Sequence, residues 1–169
     1  FNLTIENCPT NAAFITIENL NTLKKKNLIF FGLFLENKQT GFVSLEKAND
    51  RLYYLEKLAV LPEYRHHGYG KELMDFCFKY AKHQNIKKIS IAIINEHDIL
   101  KKWYMSYGFN TTKKKKFSHL PFTVCFMEKE VLDGFFEDFL NKETLFKDKK
   151  VLQASYTPET LPHRTEQEK

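Results

Sequence analysis

Residues Val60-Leu61-Pro62-Glu63-Tyr64-Arg65-His66-His67-Gly68-Tyr69-Gly70-Lys71 constrain this chain more than any other stretch. An apolar run from Tyr53 to Leu61 stops at Pro62, and a short polar loop with two glycines follows. From Glu72 to Gln84 apolar side chains recur at helical spacing, with Leu73, Cys77 and Tyr80 on one row and Met74, Phe78 and Ala81 on the next. The pattern predicts strand, glycine loop and helix. Such a junction gathers unpaired backbone N–H groups and the positive end of a helix dipole, which suits a phosphate or pyrophosphate. Gly68 and Gly70 let the backbone take positive φ and come close to a ligand. The loop reads Arg-x-x-Gly-x-Gly after a strand ending Leu-x-Val-x-Pro. It lacks the Gly-Lys-Ser/Thr ending of a P-loop and the third glycine of the dinucleotide fingerprint. A tight strand-to-helix turn is the plain alternative.

The flanking chain says what this junction sits in. Asn11 to Lys25 reads as a helix with Phe14, Ile17, Leu20 and Leu23 at helical spacing, capped by Thr10 or Asn11. Leu28 to Leu35 is a nearly continuous apolar run and reads as a buried strand. A turn over 36–41, a strand from Gly41 to Glu46, a turn over 48–50 and a strand from Arg51 to Leu61 complete an antiparallel meander. After the loop and its helix, Lys87 to Asn95 carries Ile89, Ile91, Ile93 and Ile94 and reads as a strand. A right-handed crossover makes it parallel to the Arg51–Leu61 strand. His97 to Tyr107 reads as a second helix ending at Gly108, Phe109 to Thr112 starts a strand, and Leu120 to Val131 is the last strand, with Pro121 at its beginning. The order predicts an α/β domain with a mixed sheet. Asp133 to Phe146 is an amphipathic helix candidate, and Lys147 to Lys169 reads as a linker or tail. The organisation is thus one unit over 1–132 and a C-terminal helix and polar tail over 133–169.

A chain of 169 residues with 43% hydrophobic content and 16 Phe can bury a real core. Its net charge of +5 comes largely from Lys24 to Lys26 and Lys113 to Lys116, each read as a solvated loop or strand end. That balance also helps to attract a polyanionic cofactor. Cys8, Cys77 and Cys125 are odd in number and far apart, without metal or disulfide spacing, so a reducing, cytoplasmic compartment is expected. No membrane span, signal peptide or metal site is read.

Leu58-Ala59-Val60-Leu61-Pro62-Glu63-Tyr64-Arg65-His66-His67-Gly68-Tyr69-Gly70 resembles the acetyl-CoA motif of the GNAT superfamily of N-acetyltransferases, [Arg/Gln]-x-x-Gly-x-[Gly/Ala]. Asn95, followed by Trp103-Tyr104-Met105-Ser106-Tyr107-Gly108-Phe109, is similar to the family's Asn…Tyr-x-x-x-Gly-Phe segment. The resemblance covers about residues 10–131. The family's usual first strand is not evident, in keeping with a missing amino terminus.

The resemblance implies a mostly antiparallel mixed sheet, flanked by helices, whose one parallel pair splays apart. Acetyl-CoA is the implied co-substrate. Its pyrophosphate would sit on the loop of Arg65, His66, His67, Gly68, Tyr69, Gly70 and Lys71. Its pantetheine would run along the exposed backbone edge of Leu58, Ala59 and Val60, with Asn95 as a side-chain contact; a helix N-cap is the other reading of Asn95. Tyr104 matches the tyrosine placed near the coenzyme sulfur as general acid, beside a reading as a buried aromatic. Glu56 is a candidate base and could equally pair with Lys57. His97 and Asp98 are weaker candidates, since a polar pair opening a helix usually caps it. His66 and His67 line the cofactor mouth, and Arg65 contacts phosphate or braces the turn.

The expected partner is an amine acceptor, small molecule or peptide, bound by segments near 10–27 and 113–122. A homodimer is a further expectation, and neither a membrane nor nucleic acid is. A non-catalytic acyl-CoA-binding or regulatory domain is the competing function. A nucleic-acid module would need a basic face interleaved with aromatics, which is lacking. Residues 145–169, including Leu161-Pro162-His163-Arg164, resemble the opening segment of archaeal origin-recognition-type AAA+ ATPases. The nucleotide-binding core of those proteins is absent, so no ATPase activity is implied.

Overall fold

The computed structural model describes Thr4, Glu6 and residues 16–24, 28–132 and 149–153. Helix α1 spans Ile17–Lys24 and strands β1 Leu28–Leu35, β2 Lys38–Asn49 and β3 Leu52–Val60 follow. Next come a 3-10 turn (Pro62–Tyr64), α2 (Tyr69–His83), β4 (Lys88–Ile94), α3 (Asp98–Ser106), β5 (Asn110–Lys116), β6 (Thr123–Glu130) and β7 (Lys149–Gln153). The strands form one seven-stranded sheet in the order β5-β6-β4-β3-β2-β1-β7. Only β3 and β4 pair in parallel; the other neighbours are antiparallel. The mixed sheet read from the element order is therefore present.

Several element ends differ from the sequence reading, each for a local reason. The turn between β1 and β2 is Glu36-Asn37 alone, with φ of 48° and 64°. Two consecutive left-handed residues match the twist of a hairpin, so Lys38 to Thr40 join β2 instead of the turn. Helix α1 begins later than Asn11 among the described residues. Thr16 Oγ1 accepts from Asn19 N at 3.2 Å, and Asn19 Oδ1 accepts from Thr16 N at 3.2 Å, a reciprocal cap. The caps expected at Thr10 or Asn11 lie outside the described residues. So does the helix expected over Asp133 to Phe146. The reading of Lys147 to Lys169 as linker or tail is corrected at Lys149–Gln153, which pairs antiparallel with β1 from Phe31–Gln153 to Leu35–Lys149.

The two faces of the sheet have different fates. Phe31, Leu33, Val43, Leu45, Tyr53, Leu55, Ile89, Ile91 and Ile93 join Leu73, Met74, Cys77 and Ala81 of α2 in one core. Alternation along each strand sends the neighbouring residues, among them Tyr54, Glu56, Ser90, Ala92, Ile94, Val124 and Phe126, to the opposite face. There α2 is absent, and a cleft of about 1340 Å³ opens instead.

Candidate active site

The site begins with a strand pair that stops pairing. β3 and β4 match at Leu52–Lys88, Tyr53–Ile89 and Tyr54–Ser90, and no further. β4 keeps its other neighbour β6 as far as Ile94–Val124, and β3 keeps β2 as far as Val60–Gly41. From Glu56 to Val60, β3 therefore has an unpaired edge facing β4. A bulge lies at the divergence. The β2 partners run from Ser44–Glu56 to Phe42–Ala59, so Lys57 and Leu58 oppose Val43 alone. Lys57 takes φ of 56°. A bulge bends its strand and increases its local twist, which turns β3 away from β4.

The glycine loop closes the end of this gap. Leu61 N donates to Thr40 O at 2.9 Å, and Arg65 Nε donates to Val60 O at 3.0 Å. Arg65 thus braces the strand end against the loop, one of the two roles read for it. His66 and Gly68 take φ of 64° and 85°. His67 Nδ1–H donates to Arg65 O at 2.7 Å. The ladder of α2 begins with Glu72 N on Gly68 O at 3.1 Å. Helix geometry leaves the Gly70 and Lys71 amides without acceptors inside the helix, and Gly68 offers no side-chain cap. The result is an exposed cluster of donors at the positive end of a 15-residue helix. Gly68 alone of the two glycines has positive φ. Gly70 is helical and lies against Trp103, whose Cζ2 would be 3.7 Å from an added Cβ.

Tyr104 approaches the gap from α3. Its ring packs edge-on to Trp103 at 4.8 Å and to Phe109 at 5.6 Å, and the residue is 6% exposed. Burial pushes its phenol up to about 12, so it remains protonated at neutral pH. Tyr104 lines the same cleft as Glu56, Lys57 and Leu58.

This constellation can be compared with known proteins. The Acetyltransferase (GNAT) family matches residues 5–109. The chain belongs to the GNAT acetyltransferase family. Similar solved structures agree in fold. The ribosomal-protein-S18-alanine N-acetyltransferase of Escherichia coli is 15% identical with TM-score 0.63, over 81% of this chain and 96% of that one. Ard1 of Thermoplasma volcanium is 17% identical with TM-score 0.62, over 78% and 95%. A GNAT family acetyltransferase of Elizabethkingia anophelis, with acetyl-CoA bound, is 18% identical with TM-score 0.55, over 68% and 83%. A shorter likeness links the chain to the ORC1-type DNA replication protein of Thermococcus onnurineus, 51% identical over 41 residues, 24% of this chain. The chain spans about 10% of the length of that relative. So short an overlap agrees with the resemblance read in residues 145–169.

In this GNAT domain the remaining expected residues fall into place unequally. Glu56 reaches the cleft, but its carboxylate accepts from the ammonium of Lys57, whose side chain is 14% exposed. The pairing weighed against the base role is the one present. Asn95 is not the helix cap: its Oδ1 accepts from Lys101 Nζ at 3.0 Å, and its backbone N donates to Thr123 O at 2.8 Å. The cap is His97, whose Nδ1 accepts from Leu100 N at 3.3 Å, so capping accounts for the polar opening of α3. His66 and His67 are exposed at the loop. Among the described residues no group of His, Cys, Asp and Glu could hold a metal ion, and no helix is long and apolar enough to cross a membrane.

Sequence reasoning missed three features. The bulge at Lys57 has no residue signal, because lysine is not a left-handed residue by preference. Asp75, four residues after Lys71, accepts from Lys71 Nζ at 2.8 Å and from the Tyr107 hydroxyl, tying α2 to the end of α3. The i,i+4 spacing of Lys71 and Asp75 could have suggested the first of these bonds. Lys113 and Lys115 line the cleft, in keeping with an acceptor segment near 113–122, but nothing in the lysine run singles out these two. Alternation within a lysine run would have separated them from Lys114 and Lys116 once a strand was drawn there.

Proposed function

We propose that this protein is an acetyl-CoA-dependent N-acetyltransferase that moves an acetyl group directly to a primary amine. The observation that carries the reading is the opening of the β3–β4 pair beyond Tyr54 and Ser90, with the Gly68 loop at its end and Tyr104 on its wall. Pantetheine fits the gap as a substitute strand along Leu58 to Val60. The pyrophosphate fits the amides at the start of α2, contributed by Arg65 to Lys71, with Asn95 toward the pantetheine arm. The acetyl-CoA bound in the Elizabethkingia relative and the coenzyme A in the PaiA N-acetyltransferase of Thermoplasma acidophilum support that donor.

The chemistry follows from the groups present. The amine lone pair forms a bond to the thioester carbonyl carbon, and the carbonyl electrons move to oxygen. A backbone N–H on the freed edge of β3 is suited to that oxyanion. When the carbonyl reforms, the C–S bond breaks and its electron pair stays on sulfur. The surplus proton of nitrogen leaves to Glu56 or to water. Sulfur receives hydrogen-bond donation from Tyr104. With a phenol near 12, above the range of a thiol, complete proton transfer to the thiolate is uphill. Tyr104 therefore acts mainly by donating a strong hydrogen bond as thiolate charge develops, and the proton follows once the product moves. The free Cys77 and Cys125 support a reducing, cytoplasmic setting.

The contact between Lys57 and Glu56 favours a second reading, an acyl-CoA-binding domain without turnover, because it occupies the candidate base. One experiment separates the two: incubation with acetyl-CoA and a panel of amines, following thiol release and identifying products by mass spectrometry. Amine-dependent release supports the enzyme. Tight acetyl-CoA binding with no acetylated product from any amine supports the binding domain.

A further inference from the structure

We propose that the acceptor carries, besides its amine, an anionic group seated by Lys113 and Lys115, and an apolar body resting on Phe117, Phe122 and Phe126. This rests on the acetyltransferase reading of the cleft and adds the chemical class of its second substrate.

The strand register places these residues together. Lys113 lies opposite Phe126 and Lys115 opposite Val124 on β6. Phe126 and Val124 in turn lie beside Ala92 and Ile94 of β4. All six residues line the cleft, as do Phe117 and Phe122. Two strand spacings separate Lys113 from Ala92, roughly 10 Å, so a lysine stem can lean back over Phe126 toward the β3–β4 gap. The acceptor amine would reach Tyr104 from one end while its anion meets the lysines at the other.

The charges in the cleft point the same way. Its carboxylates are Glu56 and Glu128. Glu56 is paired with Lys57, and Glu128 lies 3.5 Å from Lys88 Nζ. No described carboxylate lies within ion-pair distance of Lys113 or Lys115. Lys115 Nζ instead sits 4.5 Å from the ring centre of Phe117, which aims it along the cleft wall. Partly buried phenylalanines beneath two ammonium groups that no described carboxylate neutralises form a surface complementary to an amphipathic anion. A run of lysines on an edge strand also deters strand pairing between molecules. That role falls equally on Lys114 and Lys116, which alternation turns to the other face, and the test uses this difference.

Lys113→Glu/Lys115→Glu and Lys114→Glu/Lys116→Glu change net charge equally on the same strand. Wild type and both variants are assayed with phenylalanine and phenylalanine amide, with O-phosphotyramine and tyramine, and with an acidic tetrapeptide and its amidated counterpart. The expected result is at least a tenfold rise in KM for one or more anionic acceptors in the cleft-facing variant. The outward-facing variant should change less than twofold, and neutral counterparts should be little affected in both. The pair that responds tells carboxylate, phosphate and peptide sources apart. Equal effects in the two variants, or indifference to acceptor charge, overturn the inference while leaving acetyl transfer standing. Calorimetric titration with the same compounds reads the inference without turnover. Charge-dependent binding lost only in the cleft-facing variant supports it even if acetyl transfer fails, and equal binding of charged and neutral members refutes it.

Discussion

The Tyr107 hydroxyl donates to Asp75 Oδ1 at 2.5 Å, joining the end of α3 to the second turn of α2. The other carboxylate oxygen of Asp75 accepts from Lys71, and Lys129 Nζ donates to Tyr107 O at 2.6 Å while lying 4.1 Å from the centre of the Tyr107 ring. One tyrosine thus links the helix behind the glycine loop, the helix that carries Tyr104, and β6. Burial first, and then the Asp75 carboxylate, push its phenol far above the ordinary tyrosine range, so it stays a donor.

Tyr107→Phe removes that donor and keeps the ring. A hydrogen bond to a charged but half-exposed carboxylate is worth about 1.5 kcal/mol, and the variant should lose about that much in urea unfolding. Unchanged midpoint and slope would mean that the bond adds nothing to stability.

Gly68 and Gly70 should respond oppositely to alanine. Gly68 has φ of 85°, so an alanine there costs about 1 kcal/mol in left-handed strain. Gly70 is helical, and its added methyl would meet Trp103 at 3.7 Å, an ordinary contact. Gly70→Ala should therefore be neutral or stabilising by up to about 1 kcal/mol. Nothing lies within 4 Å of a Cβ on Gly68. Gly68→Trp should thus fold with only the backbone strain, yet fill the space over the helix start. Its calorimetric affinity for acetyl-CoA should drop at least a hundredfold, and wild-type affinity would remove the loop from the cofactor site.

Tyr104→Phe should lower kcat by tenfold or more with acetyl-CoA affinity near wild type. Equal turnover would take the phenol out of the mechanism. A stability effect accompanies this. The folded pKa is raised from 10.0 to about 12, so the folded state holds the proton longer than the unfolded state. The corresponding stability, about 3 kcal/mol, is complete below pH 10 and is lost as pH rises toward 12. Alkaline urea titrations should fall less steeply between pH 10 and 12 in Tyr104→Phe; identical slopes would contradict the burial of the phenol.

Lys57 is both a left-handed bulge residue and the partner of Glu56. Lys57→Gly should relieve backbone strain of about 1 kcal/mol and release the Glu56 carboxylate. Lys57→Val should destabilise, because a β-branched residue fits poorly at positive φ. If Glu56 is the base, Lys57→Gly should keep turnover and Glu56→Gln should reduce it at least tenfold. Full activity in Glu56→Gln would hand the proton to water.

Much of the framework was legible because apolar periodicity is a local property. Ile89, Ile91 and Ile93 read as one face of a strand, and of the two apolar rows read on the helix, Leu73 and Cys77 from one and Met74 and Ala81 from the other are fully buried. The Tyr104-to-Phe109 segment was readable for the same reason, since Gly108 at φ of 101° must end α3. Where β7 pairs was hidden, because a short polar strand carries no period of its own and takes its place from the open edge of β1.

The sequence by itself determined the strand–loop–helix junction, the alternation of faces and the residue types able to meet a thioester. Only the tertiary structure decided that β3 leaves β4 after Tyr54, that Glu56 finds Lys57, that His97 caps α3 in place of Asn95, and that Lys113 and Lys115 overlook the cleft. The first and last of these depend on register between strands, while the Glu56 and His97 contacts, though local in the chain, are choices among competing partners. Such choices are set by how whole surfaces pack, and a local pattern of residues does not encode them.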